Sequence, residues 1–382
     1  MIKRELNPFR YGKLVDNEFF IDRDKDRSIL KNLLVSGTNV ILMSPRRWGK
    51  SSLVKQSMIE ILKEYSDIKV CFIDAFSVHS VSEFYGIFSK EVIKSTSSTW
   101  KNWVTSAKKY FKSIKPVISL GADPMSDFSL SFDFDENVPA ETSEVLELPE
   151  KIAEDKQVRV IVCIDEFQSL ARLSDYSVLE DMMRSVWQKQ PNVSYCLYGS
   201  QRHMMEDIFN SPQKPFFKFG QSMYLNKIAE SEWVPFIMNG FIRTKKTISE
   251  ELATRIAQTV RNHSWYVQQY ASCVWNFTPK GKSVTENSLD DAMEWTIETN
   301  LPNFQNLYGV LTGSQVGLLK AIAKGEKQLS SAEVIKKYNL GSSASVAKNR
   351  KILLNNDYIA SVGEDFEFVD PVFEIWFRQY SF

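Results

Sequence analysis

The chain has 382 residues, of which 43% are hydrophobic and 25% charged, and its 47 Lys+Arg balance 47 Asp+Glu. That length implies two or three domains, the composition excludes a chain disordered throughout, and zero formal charge excludes a global field drawing it to nucleic acid or an anionic membrane. No apolar run approaches the roughly 20 residues of a membrane span, and Met1-Ile2-Lys3-Arg4-Glu5 opens no signal-peptide core, so a soluble, cytoplasmic protein without a membrane partner is expected. Cys71, Cys163, Cys196 and Cys273 each stand alone in apolar segments, as reduced core thiols do.

In chain order, Asn7-Pro8-Phe9 reads as an extended lead-in, because proline disfavours helix at the residue before it. Asp24 to Val35 is expected to be a helix with Ile29, Leu30, Leu33 and Leu34 on one face. Val40 to Met43 is a continuous apolar run, the signature of a strand buried on both faces. A helix with Leu53, Val54, Ser57, Met58, Ile61 and Leu62 inward follows. Val70 to Asp74 is a second such strand, and Ser80-x-x-Glu83 opens the next helix as a capping box. Val158 to Ile164 and Val193 to Tyr198 complete the buried runs. Strands alternating with helices predict a parallel sheet covered on both faces.

Between Trp100 and Pro149 the alternation breaks. Trp100, Trp103, Ala107, Tyr110, Phe111 and Ile114 recur at helical spacing. Phe128, Leu130, Phe132 and Phe134 alternate with polar residues, and Pro116 to Leu120 is their hairpin partner. This inserted helix and hairpin should pack on the domain's own edge; a partner-docking platform is the alternative. From Ile228 the pattern is helical: Trp233 to Phe241, Ile248 to Val260, Tyr266 to Trp275 and Leu289 to Thr299. Beyond Leu311 come three helices, the second opening at Ser330-x-x-Glu333, and strands Tyr358 to Val362 and Phe366 to Val369, which is a winged-helix pattern. Trp265, Trp275, Trp295 and Trp376 fall at helix-packing positions.

The chemistry sits at strand ends. Ser44-Pro45-Arg46-Arg47-Trp48-Gly49-Lys50-Ser51-Ser52 joins the first strand to a helix, where backbone N–H groups and the helix dipole favour phosphate. Lys50 would reach the β- and γ-phosphates of a nucleotide, and the Ser51 hydroxyl would ligate Mg²⁺. The loop has Ser44 where the usual pattern has its first glycine. If that position needs positive φ, serine costs about 1–2 kcal/mol there. A later buried strand ends in Asp165-Glu166, which suit a Mg²⁺ ligand and a base for the attacking water, respectively. Ser200, after the next strand, could hydrogen-bond that water or the γ-phosphate, and Gly199-Ser200 would equally cap the following helix.

Taken together, Asn7-Pro8-Phe9, Phe20-Ile21-Asp22-Arg23, Pro45-Arg46-Arg47-x-Gly49-Lys50-Ser51, Asp165-Glu166-Phe167-Gln168, Gly199-Ser200 and Asp370-Pro371-x-Phe373 resemble the archaeal-type ATPases of the STAND branch of AAA+ P-loop NTPases. The resemblance spans nearly the whole chain. It implies ATP and Mg²⁺ as cofactors, a five-stranded α/β sheet of AAA+ order, a helical lid and a C-terminal winged helix. It also implies that Arg23, beside Asn7 to Phe9, lines the adenine side. Asn262-His263-Ser264 resembles the lid motif that meets the nucleotide, with Ser264 in place of its proline. No arginine occurs between His203 and Phe241, where relatives carry one that a neighbouring subunit receives. Lys218, Arg202 or Arg184 is left to serve, and since an arginine finger is worth about 10³–10⁵ in rate, slow hydrolysis is expected.

The expected organisation is a P-loop ATPase domain over residues 1–227 with the insertion at about 100–149, a lid over 228–305 and a winged helix over 306–382. The expected function is a Mg²⁺-dependent ATPase working as a nucleotide-controlled switch, with an unidentified protein partner and nucleotide-dependent homo-oligomers. The alternative is a DNA-associated or defence-related regulator in which ATP controls assembly. Lys348, Arg350 and Lys351 give the winged helix few phosphate contacts, so nucleic acid is not the favoured ligand.

Overall fold

Four of the apolar runs become buried strands, and a fifth strand completes their sheet. The computed structural model describes residues 6–12, 21, 23–97, 105, 107, 109–111, 117–120, 128–132 and 139–381. Phe20, Asp22, Trp100, Trp103, Ile114, Pro116 and Phe134 lie outside the described residues. The chain divides into two compact units, one of Arg23–Arg46 and Lys50–Asn226, the other of Met1–Asp22, Arg47–Gly49 and Lys227–Phe382.

The strands of the first unit are β1 (Val40–Met43), β2 (Ile68–Asp74), β3 (Val117–Leu120), β4 (Phe128–Ser131), β5 (Arg159–Asp165), β6 (Val193–Gly199) and β7 (Gln221–Tyr224). Five of them form one parallel sheet in the order β2-β5-β6-β1-β7. Its centre is apolar on both faces: β1 and β6 are buried along their whole lengths. Register sets Asp74 beside Asp165, and Met43 beside both Gly199 and Tyr224. Polar residues that follow β1, β5 and β6 therefore emerge along one edge of the sheet.

Helices α1 (Asp24–Val35), α2 (Lys50–Glu64), α3 (Val81–Thr96), α4 (Pro139–Leu146), α5 (Leu148–Lys156), α6 (Tyr176–Trp187) and α7 (Arg202–Asn210) complete this unit. The buried stripe of α1 is narrower than its pattern suggests, with Leu30 and Leu34 inside and Ile29 exposed. In α2, Leu62 is exposed as well, because Ile61 alone keeps the core phase in the last turn. At the start of α3 the Ser80 hydroxyl accepts from Glu83 N at 3.1 Å, and the Glu83 carboxylate accepts from His79 N at 2.8 Å. The reciprocal bond thus reaches one residue further back than a capping box places it. The inserted hairpin, β3 with β4, packs against α3, and Ala107, Tyr110, Phe111, Leu130 and Phe132 join the sheet unit's core.

The second unit is built from α8 (Glu230–Arg243), α9 (Glu250–Thr259), α10 (Ser264–Phe277), α11 (Glu286–Gly309), α12 (Gly313–Ala323), α13 (Ala332–Tyr338) and α14 (Ser343–Asn355). The hairpin β8 (Ile359–Val362) and β9 (Asp365–Phe368) and a closing helix α15 (Pro371–Ser381) follow. Ser249, Thr285, Thr312, Ser331 and Ser342 cap α9, α11, α12, α13 and α14 with their hydroxyls. Thr312 and Gln315 form a full capping box. The cap of α13 is Ser331, one residue after the expected Ser330. One hydrophobic core runs from Trp233 through Phe304 to Phe377, and α11 crosses residues 305 and 306 without a break. Trp376 lies in that core and Trp265 and Trp275 at its margin, but Trp295 is 42% exposed.

Candidate active site

The loop between β1 and α2 is anchored at its start. Ser44 is wholly buried, its hydroxyl donates to Pro45 O at 3.1 Å, and its N–H meets Gly199 O of β6 at 3.4 Å. Ser44 is not in the left-handed region; the positive φ values of this loop fall on Arg47 (65°) and Gly49 (90°). The strain considered for Ser44 is therefore absent, and Gly49 takes the conformation that only glycine adopts cheaply. The chain then enters the 15-residue helix α2, whose first-turn N–H groups carry the positive end of the dipole.

The side chains at the start of α2 meet the ends of β5 and β6. Lys50 is 6% exposed, and its Nζ lies 3.1 Å from Asp165 Oδ1 and 3.1 Å from Glu166 Oε1. The Ser51 hydroxyl donates to the other Asp165 oxygen, Oδ2, at 2.8 Å. Ser200 donates to Glu166 Oε2 at 2.7 Å, and Gln168 Nε2 donates to the same oxygen at 2.5 Å. Burial opposes the charged form of Glu166, but the Lys50 ammonium and the Ser200 and Gln168 hydrogen bonds outweigh it and hold the carboxyl below its ordinary range. Tyr198 of β6 presents its ring to Lys50 Nζ, 5.4 Å from the centroid. Lys50, Ser51, Asp165, Glu166 and Ser200 thus converge within one unit. Gln168 and Tyr198 join them without having been singled out by the sequence. Gln168 stood in the Asp165-Glu166-Phe167-Gln168 run, and a polar residue just past two strand-end acids was the available signal.

The remaining expected residues are distributed differently. Arg23 belongs to the sheet unit, is 6% exposed, and pairs with Asp26 at 3.2 Å. Pro45, Arg46 and Ser52 flank the loop in that unit, whereas Arg47, Trp48 and Gly49 belong with the helical unit. There, the Arg47 guanidinium lies 4.7 Å from the Trp265 ring centroid, and Lys227 Nζ lies 5.6 Å from that of Trp48. Asn7 donates to Ser272 O, Ser272 Oγ and Asn276 Oδ1 on α10, and accepts from Phe9 N. Phe9 is 3% exposed and packs on Phe236 and Phe241. His263 is buried, and burial, Arg47 and Lys227 push its pKa down to about 3. Its Nδ1 and the Ser264 hydroxyl are buried without hydrogen-bond partners.

Each cation considered as an arginine finger is engaged locally. Arg184 stacks on Phe219 at 5.2 Å, Arg202 pairs with Glu206 at 2.8 Å and stacks on Tyr224 at 5.0 Å, and Lys218 lies 5.3 Å from the Phe217 ring.

Comparison with known proteins bears on this arrangement. Residues 302–379 match the family described as "Probable winged helix domain". Among solved structures, the Walker-type ATPase PABY2304 of Pyrococcus abyssi aligns with a TM-score of 0.67 and 16% identity, over 97% of this chain and 99% of that one. The fold is that of an AAA+ P-loop NTPase. The Aeropyrum pernix ORC2 protein, in ADPNP–ADP complexes, aligns with a TM-score of 0.53 and 11% identity over 98% of this chain and 99% of that one. No curated protein sequence matches the chain. In the AAA+ fold the strand ends bearing Asp165 and Ser200, and the loop before α2, occupy one edge of the sheet. No described helix is long and apolar enough to cross a membrane.

Proposed function

We propose that the protein is a Mg²⁺-dependent ATPase that works as a nucleotide-controlled switch. The observation that carries this reading is the convergence of Lys50, Ser51, Asp165, Glu166 and Ser200 at the mouth of the loop before α2. The donor set fits the cofactor. The Ser51 hydroxyl and an Asp165 oxygen lie 2.8 Å apart, and both are the hard oxygen ligands Mg²⁺ takes. Among the described residues no cluster of three or more His, Cys, Asp or Glu side chains could hold an ion alone. That suits a cation shared with phosphate oxygens, the usual arrangement for Mg²⁺.

Ser51 and Asp165 would hold the ion, and the backbone from Pro45 to Ser52 would receive the phosphates. Bound Mg²⁺ neutralises charge on the transferring phosphoryl group. Lys50 exchanges its carboxylate partners for phosphate oxygens. Glu166, kept ionised by its donors, accepts a proton from water, and Ser200 fixes one of its oxygens. Arg23, in the sheet unit with Lys50, remains a candidate for the nucleoside end. Asn7 and Phe9 serve by fixing the lead-in to the helical core, since their polar and apolar surfaces are already taken up there. With Arg184, Arg202 and Lys218 engaged by their own neighbours, hydrolysis is slow until a partner or another copy supplies a cation. Membership of the STAND branch, a cytoplasmic location and nucleotide-dependent self-association belong to this reading.

The winged-helix match over residues 302–379 supports a second reading, a DNA-associated or defence-related regulator whose assembly ATP controls. The α14 cations Lys348, Arg350 and Lys351 would make its phosphate contacts, although Arg350 already stacks on Phe366 at 5.4 Å.

The test is ATP hydrolysis by the full chain with and without Mg²⁺, across protein concentrations, beside Glu166→Gln and Lys50→Ala. Mg²⁺-dependent turnover that Glu166→Gln removes while ATP binding persists is expected. Turnover retained in Glu166→Gln sinks the assignment of the base. Salt-sensitive duplex binding by the full chain would favour the second reading.

A further inference from the structure

The two oxygens of Glu166 face chemically different neighbours. Oε1 faces the Lys50 ammonium at 3.1 Å, while Oε2 accepts from Ser200 Oγ at 2.7 Å and Gln168 Nε2 at 2.5 Å. The second donor depends on an unusual backbone. Glu166 adopts φ 49°, ψ 40°, the left-handed region, and a 3-10 helix, Phe167–Arg172, begins directly after it. A residue with a Cβ rarely adopts this conformation. It turns the chain sharply out of β5, so that the side chain two positions later returns to the Glu166 carboxylate. Ser169 N–H closes the turn on Glu166 O at 2.8 Å.

Gln168 is held in that place from the opposite side. It is 1% exposed, and it lies so close to Gly199 that a Cβ there would sit 2.0 Å from Gln168 Oε1. Gly199 has no positive φ, so its backbone alone does not explain glycine there; room for Gln168 does. Met205 Sδ, 2.7 Å from the same imagined Cβ, is the end of a flexible side chain and could yield more easily. The amide orientation is fixed by chemistry: its NH₂ must face the carboxylate, because the carbonyl oxygen there would be repelled. That orientation leaves Oε1 buried without a hydrogen-bond partner. An unsatisfied buried acceptor is costly, so the arrangement favours the bond to Glu166 over satisfying the amide oxygen.

We propose that Gln168 is a positioning residue for Glu166: with Ser200 it holds Oε2 and so assigns Oε1 as the oxygen that receives the proton from water, and Gly199 is the complementary void that lets it do so. The inference rests on the reading of Glu166 as the base. Gln168 touches neither nucleotide nor water in this scheme, so its loss acts on the chemical step and not on ATP binding.

The experiment compares steady-state ATP hydrolysis by the full chain for Gln168→Met, Ser200→Ala, their double variant, Gly199→Ala and Glu166→Gln, with melting temperatures for each. Methionine matches glutamine in length but donates nothing. Gln168→Met should lower kcat about 10- to 100-fold, part of what general-base catalysis contributes, with KM for ATP changed less than about twofold. Because Gln168 and Ser200 share one oxygen, the double variant should lose less than the product of the single losses. Gly199→Ala should reproduce the Gln168→Met loss, and in a Gln168→Ala background it should add nothing. A raised KM at unchanged kcat, or losses that multiply, would overturn the proposal. Should Gln168→Met melt below assay temperature, Gln168→Leu, which is apolar and donates nothing, replaces it; wild-type kcat there overturns the proposal equally. Glu166→Gln separates the two levels. Loss of turnover there beside wild-type kcat in Gln168→Met removes Gln168 alone, whereas turnover retained in Glu166→Gln removes the reading beneath it.

Discussion

The polar cluster of the sheet unit and that of the helical unit solve the same problem differently. In the first, Lys50, Ser51, Asp165, Glu166 and Ser200 are partly or fully buried, and their charges are matched by short, mutual contacts. In the second, His263 is buried uncharged, and Asp370, half-buried, accepts from Tyr266 OH and from Val372 and Phe373 N–H. Burial raises the Asp370 carboxyl, and these donors with Arg47 work against that rise. The first cluster keeps its charge and can exchange partners, as chemistry demands. The second uses buried polar groups to fix helices, so its removal should show in stability before activity.

The largest effects test that contrast at the first cluster. Lys50→Ala should abolish measurable ATP binding by calorimetry, and Glu166→Gln should lower kcat about 10²–10⁴-fold with binding retained. Equal loss of binding in both would erase the distinction between holding and reacting groups. At the second cluster, Asp370→Ala removes the cap of α15 and strands the Tyr266 hydroxyl, a cost of about 2–4 kcal/mol in a denaturant melt. Unchanged turnover per folded molecule is the companion result; a collapse of kcat at full stability would break the comparison.

A pH series sharpens it further. His263 titrates near 6.5 when unfolded and near 3 when folded, because of burial and of Arg47 and Lys227. Between these values the unfolded chain binds the extra proton, so this contribution is intact above about pH 6.5 and is lost as pH falls. From pH 6.5 to 5 the wild type should lose up to about 2 kcal/mol relative to His263→Leu. Parallel acid profiles for the two proteins would show that His263 is not held neutral. The smallest expected change is Ser44→Gly, within about 1 kcal/mol, because Ser44 carries no positive φ for glycine to relieve.

Legibility in the sequence followed locality. The strands β1, β2, β5 and β6 are continuous apolar runs and were readable to within two residues. The edge strand β7 was not, because Gln221–Tyr224 is half-exposed and lacks such a run. The start of α15 is hard to read because Asp370-Pro371 also forms part of a motif, though an aspartate before proline is equally a cap at a helix start. Adjacent serines placed the α13 cap one residue early. In the site, Lys50, Ser51, Asp165 and Glu166 were readable from their positions at strand and helix ends. Gln168 stood in the same run without a role, since the role depends on a left-handed Glu166 and a missing side chain at Gly199.

The 24 residues of α11, Pro302 among them, form one helix that runs from the helices after Ile228 into the winged helix. At about 1.5 Å per residue that is a rod of roughly 36 Å. Phe304 near its end packs on Phe373 and Trp376 of α15. The C-terminal module is therefore not a detachable cartridge that evolution or an experimenter could cut away at residue 306. Severed there, it would leave behind Phe304 and the packing that closes its own base. Exchange between proteins would have to carry Phe304 along, as the winged-helix match beginning at residue 302 does.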